Sequence, residues 1–312
     1  MRILFVTSTR IGDAVLSTGL LDHLIRTHPE ARITVACGPV AEGVFARMPG
    51  REATILLEKK SHGRHWLGLW GQVAFRWWDL VVDLRGSAIA WLVPARRRAV
   101  MRGGRRAGHR LLHIAEVLKL SPAPRPVAWF AAEDFLPVAA RIPLGTAFIV
   151  LAPTANWHRK LWPADRFVAL AEALVAPGGA VPGARIVVLG GPGAEERAMA
   201  APVLGALPGA VDLVGALALP EVAALLSRAA LFVGNDSGLM HLAAAAGAPT
   251  IGLFGPTPAS EYGPIGACAM AVLAQGPPGD APMDALATEQ VIAAAMELLA
   301  RRDAVPVAEA AA

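Results

Sequence analysis

The sequence predicts an α/β protein made of two domains, each built around a parallel sheet. Three observations carry that prediction. Short, near-continuous apolar runs alternate with helical patterns almost throughout, as strands buried on both faces do when crossover helices join them. The plan occurs twice, on either side of a stretch that lacks it, residues 121–145, rich in proline (Pro122, Pro124, Pro126, Pro137, Pro143). The chain has 312 residues, and at roughly 100–200 residues per domain this suits two cores. The expected division is 1–145 for the first domain, with the proline-rich linker at its end, and 146–303 for the second. The alanine-rich residues 304–312 are expected to fray.

In the first half, strands are expected at 2–7, 32–37, 53–57 and 80–84. Residues 14–26 set Val15, Leu16, Leu20, Leu21, Leu24 and Ile25 at helical spacing. In the second half, strands are expected at 148–151, 186–189, 213–214, 231–233 and 250–254. Helices over 163–174 and 220–229 each open on a proline, whose missing N–H costs nothing in a first turn. A last helix, 289–302, has Thr288 as its N-cap and ends in Arg301 and Arg302, which suit the negative end of a helix dipole.

Composition narrows the class. With 54% apolar and 17% charged residues the chain is not disordered. Cys37 and Cys268 are too few and too far apart for a disulfide framework, so a reducing, cytoplasmic setting is expected. The apolar run Ile3-Leu4-Phe5-Val6 gives way to Thr7-Ser8-Thr9-Arg10, too soon for a secretory signal. The uncharged stretch 238–260 is broken by His241, Pro249, Pro256 and Pro258, and reads as helix, strand and loop, not as one membrane span of about 20 residues.

The net charge of +4 is local. Seven arginines (96, 97, 98, 102, 105, 106, 110) lie between Arg96 and Arg110 with no carboxylate among them. The rest of the chain carries 22 basic against 25 acidic side chains. Such a patch suits an anionic partner at one place.

Several chemistries lack their motifs. There is no P-loop, no G-x-G-x-x-G after a strand, no D-x-D carboxylate pair and no zinc-ligand spacing among the eight histidines. Gly234-Asn235-Asp236-Ser237-Gly238 has its serine one place late for a nucleophile elbow.

The positive features sit where expected strands end, the edge at which open α/β sheets bind ligands. After the first strand, Asp13 opens a helix. There it suits a general base on a hydroxyl, and equally a carboxylate that complements the helix dipole. After the first strand of the second domain, Thr154, Arg159 and Lys160 precede a helix, as a phosphate cradle would or as a solvated loop would. His158 in that loop reads as a surface or packing residue. At 232–241 a strand runs through Asp236 into a helix starting near Ser237. Its N–H groups suit a pyrophosphate and Asp236 suits sugar hydroxyls, although N-capping is the commoner role of such residues. Gly252–Thr257, and Gly190–Gly193 followed by Glu195 and Glu196, end two further strands on the same edge.

Ile11-Gly12-Asp13, Lys160-Leu161-Trp162-Pro163, Asn235-Asp236-Ser237-Gly238-Leu239-Met240-His241-Leu242 and Leu253-Phe254-Gly255-Pro256-Thr257 together resemble the ADP-heptose:lipopolysaccharide heptosyltransferases, glycosyltransferase family 9. Order and spacing match over 1–120 and 147–302, with 32–76 matching in pattern only. The resemblance implies a GT-B fold, two Rossmann-like domains facing across a cleft, with the acceptor on the first and a nucleotide-diphosphate sugar on the second. It implies inverting transfer that needs neither metal nor cofactor, in keeping with the missing D-x-D. It makes Asp13 the general base, Lys160 a donor-phosphate ligand and Asp236 a donor-sugar ligand. Thr154, Ser237, Gly238, His241 and Thr257 join the donor set, and either Glu195 or Glu196 meets the ribose. Gly19 departs from the family, which has proline there.

Five of the eight tryptophans, Trp66, Trp70, Trp77, Trp78 and Trp91, lie beside the arginine cluster, and residues 65–78 approximate helical spacing. An interfacial helix with arginines toward anionic lipid has this pattern; so does a core stripe with a solvated basic face. Arg10, Arg97, Arg98, Arg102 and Arg105 are accordingly the expected acceptor ligands, with the protein peripheral on the inner face of the cytoplasmic membrane. No nucleic-acid module is present. A same-family enzyme with another nucleotide-sugar, and a non-catalytic nucleotide-sugar or glycolipid binder, are the rival readings. A Rossmann oxidoreductase has only fold analogy behind it.

Overall fold

The computed structural model describes residues 1–58, 61–102, 104 and 106–304. The chain divides into two units, Met1–Phe130 and a second that begins at Ala131.

The first unit is a parallel five-stranded sheet of β1 (Arg2–Val6), β2 (Arg32–Cys37), β3 (Arg51–Leu56), β4 (Trp78–Asp83) and β5 (Ala95–Val100), in the order β3-β2-β1-β4-β5. Its helices are α1 (Ile11–Thr27), α2 (Arg64–Val73), α3 (Ile89–Leu92) and α4 (Arg110–Glu116). Ile3, Leu4, Phe5 and Val6 are all fully buried, which explains why β1 carries no polar alternation. In α1, Val15, Leu16, Leu20, Leu21 and Leu24 form the buried stripe. Cys37 closes β2 inside the core, where burial pushes its thiol up to about 12.

Two expectations need correction here. The helix expected over 65–78 ends at Val73; Trp78 instead opens β4, fully buried, with its indole N–H donating to the Val73 carbonyl at 3.0 Å. Part of the arginine cluster is a strand, since Arg96, Arg97 and Arg98 belong to β5 at the edge of the sheet.

Gly19 has a structural reason. A Cβ there would lie 2.5 Å from the carbonyl oxygens of both Pro124 and Arg125, so the proline-rich segment crosses α1 where there is no side chain. Beside the crossing, the Val127 N–H donates to Thr18 Oγ1 at 2.9 Å.

The second unit contains β6 (Phe148–Ala152), β7 (Arg185–Gly190), β8 (Val211–Val214), β9 (Leu231–Asn235), β10 (Thr250–Phe254) and β11 (Ala269–Leu273), all parallel, in the order β11-β10-β9-β6-β7-β8. The helices are α5 (Phe135–Ala139), α6 (Ala164–Val175), α7 (Ala194–Ala206), α8 (Leu219–Ser227), α9 (Gly238–Ala245), α10 (Ala259–Tyr262) and α11 (Thr288–Ala304). The chain starts in the middle at β6, winds outward through β7 and β8, then returns to β9 beside β6 and winds the other way. This is a doubly wound sheet with its reversal of strand order between β6 and β9. Residues 131–145, expected on the first-domain side, group with this unit: α5 packs on α8, and Arg228 donates to the Pro143 carbonyl at 3.1 Å. The core gathers Ile149, Leu151 and Val233 of the sheet with Phe167 and Leu170 of α6 and Val291 and Leu298 of α11. Burying each such side chain contributes about 1.5–3 kcal/mol. Among the described residues no helix is long and apolar enough to cross a membrane. The tail expected to fray lies, from residue 305, outside the described residues.

Candidate functional site

Parallel strands end on one edge, so in the second unit the loops after β6, β9 and β10 are neighbours. Asn235, the last residue of β9, ties them together. Its amide donates to the Pro153 carbonyl at 2.9 Å and its oxygen accepts the Trp162 N–H at 3.1 Å. Both ends of the loop that carries Lys160 are thereby fixed to β9. Trp162 is locked further, donating its indole N–H to the Leu286 carbonyl at 2.9 Å and meeting Phe167 edge-on with ring centroids 4.9 Å apart.

Held this way, Lys160 Nζ lies 2.6 Å from Asp236 Oδ2, and Thr257 donates its hydroxyl to that same oxygen at 2.8 Å. Three sequence-predicted residues from three loops thus meet at one carboxylate. Lys160 and Asp236 are both largely buried, and a desolvated charge-assisted pair of this kind is strong and directional. Asp236 is therefore engaged by Lys160 and is not a helix cap. Ser237 occupies the N-cap position of α9 with extended backbone, makes no cap bond, and keeps its hydroxyl oxygen buried without a hydrogen-bond partner. Gly238 begins α9, and His241 is buried one turn along.

The next strand over adds a second cluster. The Gly191 N–H donates to Glu196 Oε2 at 2.9 Å, and a Cβ on Gly190 would be 3.2 Å from the Thr154 methyl and 3.4 Å from the Glu196 carboxylate. Buried Thr154 and half-buried Glu196 converge there on the Gly190 backbone, whereas Glu195 is exposed on the first turn of α7. Sequence left the two glutamates open; the structure distinguishes them. His158 is exposed, and Arg159 stacks over Trp157 at 5.1 Å while pairing with Asp280 at 2.5 Å.

In the first unit Asp13 sits in the first turn of α1, 27% exposed. Ser8 Oγ approaches it at 3.4 Å and the Arg110 Nε at 4.0 Å. Arg10, at the N-cap position, is exposed and bonds through its backbone N–H to Ser8 Oγ at 3.2 Å. Asp83, which sequence reasoning missed, ends the neighbouring strand β4. Fully buried, it accepts the Arg85 and Ser87 N–H groups, each at 2.8 Å, and the Ser87 hydroxyl at 2.6 Å. Burial raises its carboxyl above the usual carboxylate range, against the pull of those hydrogen bonds. The only sequence signal is a lone acid closing an apolar run ahead of Arg85-Gly86-Ser87.

The arginines have separate fates. Arg97 and Arg102 are exposed. Arg98 is engaged internally: it donates to the carbonyls of Ala90 (2.6 Å), Val93 (2.8 Å) and Ala95 (3.0 Å), sealing the end of α3 and lying over Trp91 at 6.0 Å. Three of its five N–H groups are thereby directed at carbonyls, and the side chain remains exposed. Arg106 pairs with Glu116 at 3.0 Å. Arg105 lies outside the described residues.

The chain is similar to known glycosyltransferases. Residues 128–282 match the model of glycosyltransferase family 9 (heptosyltransferase). A lipooligosaccharide heptosyltransferase 2 from Haemophilus influenzae is 26% identical over 306 residues, covering 85% of this chain and 86% of that protein. Among solved structures, E. coli ADP-heptose lipopolysaccharide heptosyltransferase II superposes with a TM-score of 0.77 at 19% identity, over 97% of this chain and 100% of the other. The E. coli heptosyltransferase WaaC with ADP gives 0.73 at 19% identity, over 96% and 100%.

Proposed function

From its membership of glycosyltransferase family 9, we propose that this chain transfers a heptose from ADP-heptose to a hydroxyl of a lipopolysaccharide-core glycolipid, with inversion and without a metal ion. The observation that carries the reading is the meeting of Lys160, Asp236 and Thr257 beside the reversal of strand order between β6 and β9.

The chemistry follows from the groups present. An arriving diphosphate competes with Asp236 for Lys160, and the α9 N-terminus presents Gly238 N–H and the unpartnered Ser237 hydroxyl toward the same anion. Asp236, released from Lys160, turns its acceptor oxygens to the donor sugar, with Thr257 keeping the carboxylate in place. Glu196, beside Thr154 at the next strand end, takes the ribose hydroxyls. As the bond to the sugar breaks, charge grows on the leaving diphosphate, and a fixed lysine in a poorly hydrated site stabilises it without reorganising. Asp13, partly exposed at the ligand edge of the first unit, takes the proton of the acceptor hydroxyl as that oxygen attacks from the opposite face. Arg10, Arg97 and Arg102 supply exposed cations for an anionic acceptor. In this reading the protein works at the cytoplasmic face of the inner membrane.

Thermal shift with ADP, UDP, GDP and NADH, each with and without EDTA, tests the reading. A selective rise with ADP that survives EDTA supports it. Selectivity for UDP or GDP moves the donor to another nucleotide-sugar, and a response to NADH alone overturns the transferase reading.

A further inference from the structure

The α2–α3 region contains a cavity of about 630 Å³ that none of the proposed catalytic residues enters. Its walls are Trp66, Leu67 and Trp70 from α2 and Ala88, Ile89 and Leu92 from α3 and its approach. The volume is that of a small-molecule site, usually about 300–1,000 Å³, and such sites are specified by their few polar groups. Here those groups are nearly all engaged. The Ser87 hydroxyl is donated to Asp83 at 2.6 Å, and the Trp70 indole N–H to the Leu92 carbonyl at 3.0 Å. The single charged residue of the lining is Arg85, exposed, with its guanidinium 5.9 Å above the Trp66 ring. An apolar cavity with one cation at its wall suits a ligand with an apolar body and an anionic end.

The surface around it identifies the source of such a ligand. Leu67 is 69% exposed, Phe75 87% and Trp91 59%, with Trp77 and Leu92 also exposed, within one segment of the chain. Six arginines fall between Arg64 and Val100, against two acids in the same span. Of those, Asp79 accepts the Arg2 N–H at the far end of β4, and Asp83 is sealed in its turn. Exposed aromatics among unopposed arginines match a bilayer surface bearing negative headgroups.

We propose that this cavity takes up an acyl chain of an anionic membrane lipid, with Arg85 meeting the headgroup phosphate and Phe75 and Trp91 resting in the interface. The site follows the carboxyl end of β4, the neighbour of β1, so a lipid held there lies along the same sheet edge as the Asp13 turn. The inference extends the membrane-facing part of the proposed function, but its test uses neither donor nor turnover.

Dioctanoyl phosphatidylglycerol, kept below its micellar concentration, is dialysed to equilibrium against the full chain. One lipid per chain is expected to bind saturably, with dioctanoyl phosphatidylcholine about tenfold weaker. Ala88→Phe, which fills the cavity, and Arg85→Glu, at an exposed position, are each expected to weaken binding about tenfold. Both variants keep the thermal shift of the parent chain with ADP, which establishes that they are folded. Unchanged lipid binding in Ala88→Phe overturns the proposal, as does equal competition by glycerophosphoglycerol, which has the headgroup but no chains. Absence of an ADP response in the parent chain with lipid binding intact rejects ADP-heptose as the donor and leaves this inference standing.

Discussion

Lys160 and Asp236 form a buried ion pair at 2.6 Å between loops that leave β6 and β9, the two strands between which the sheet reverses its winding. Without a ligand each charge serves the other, so neither is left unpaired in a poorly hydrated place. Binding a diphosphate exchanges one anion for another at the lysine.

Lys160→Ala should therefore reduce both stability and donor binding. Removing one member of a buried pair costs about 3 kcal/mol, since Asp236 keeps only Thr257. Urea unfolding should show that loss, and Lys160→Ala/Asp236→Asn should recover part of it while the ADP response stays absent. An ADP shift surviving in Lys160→Ala would remove the lysine from the donor site.

Asp13→Asn separates binding from chemistry. General-base catalysis contributes about 10²–10⁴ in rate, so transfer should fall by that order with ADP affinity unchanged. Full turnover in the variant would exclude Asp13 as the base.

Gly19→Ala tests the crossing of the proline-rich segment over α1. With carbonyl oxygens 2.5 Å from the added carbon, backbone must move, at about 1–3 kcal/mol. Gly71→Ala is the control: it lies in α2 with nothing within 4 Å, and should be neutral or slightly stabilising. Equal effects at the two sites would mean that the crossing is looser than described.

Asp83 gives a pH dependence of defined sign. Burial raises its carboxyl in the folded chain, so the folded state binds this proton more tightly than the unfolded state does. Its contribution to stability is fullest below the ordinary carboxylate value and declines as pH rises toward the raised folded value. Asp83→Asn, which cannot titrate, should flatten that part of the stability profile. Superimposable slopes for the two proteins between pH 3 and 7 would refute the raised carboxyl.

Strands buried on both faces were the legible part of the sequence, because burial leaves an uninterrupted apolar run: β2 and β10 lie where the run places them. Of the four edge strands, β3 and β8 were placed to within a few residues, whereas β5 and β11 were not legible. β5 reads Ala-Arg-Arg-Arg-Ala-Val, and charge on an edge strand hides its pairing; β11 is only half-buried and looks like loop. Trp78 joined a helical stripe because periodicity shows which face is apolar, not where a helix stops. Lys160, Asp236 and Thr257 were found as loop residues, yet no spacing could show that the three share one oxygen. Arg98 shows the same limit: counting charge could not show that three of its N–H groups go to the carbonyls around α3.

The three consecutive arginines of β5 also bear on how the molecule behaves in a crowd. An outermost strand exposes a row of unsatisfied amides and carbonyls, to which another chain can add. Two copies that joined through β5 would bring Arg96, Arg97 and Arg98 of each against those of the other. That repulsion is a barrier to edge-to-edge polymerisation, and it protects a protein whose aromatic surface would otherwise bring its copies together.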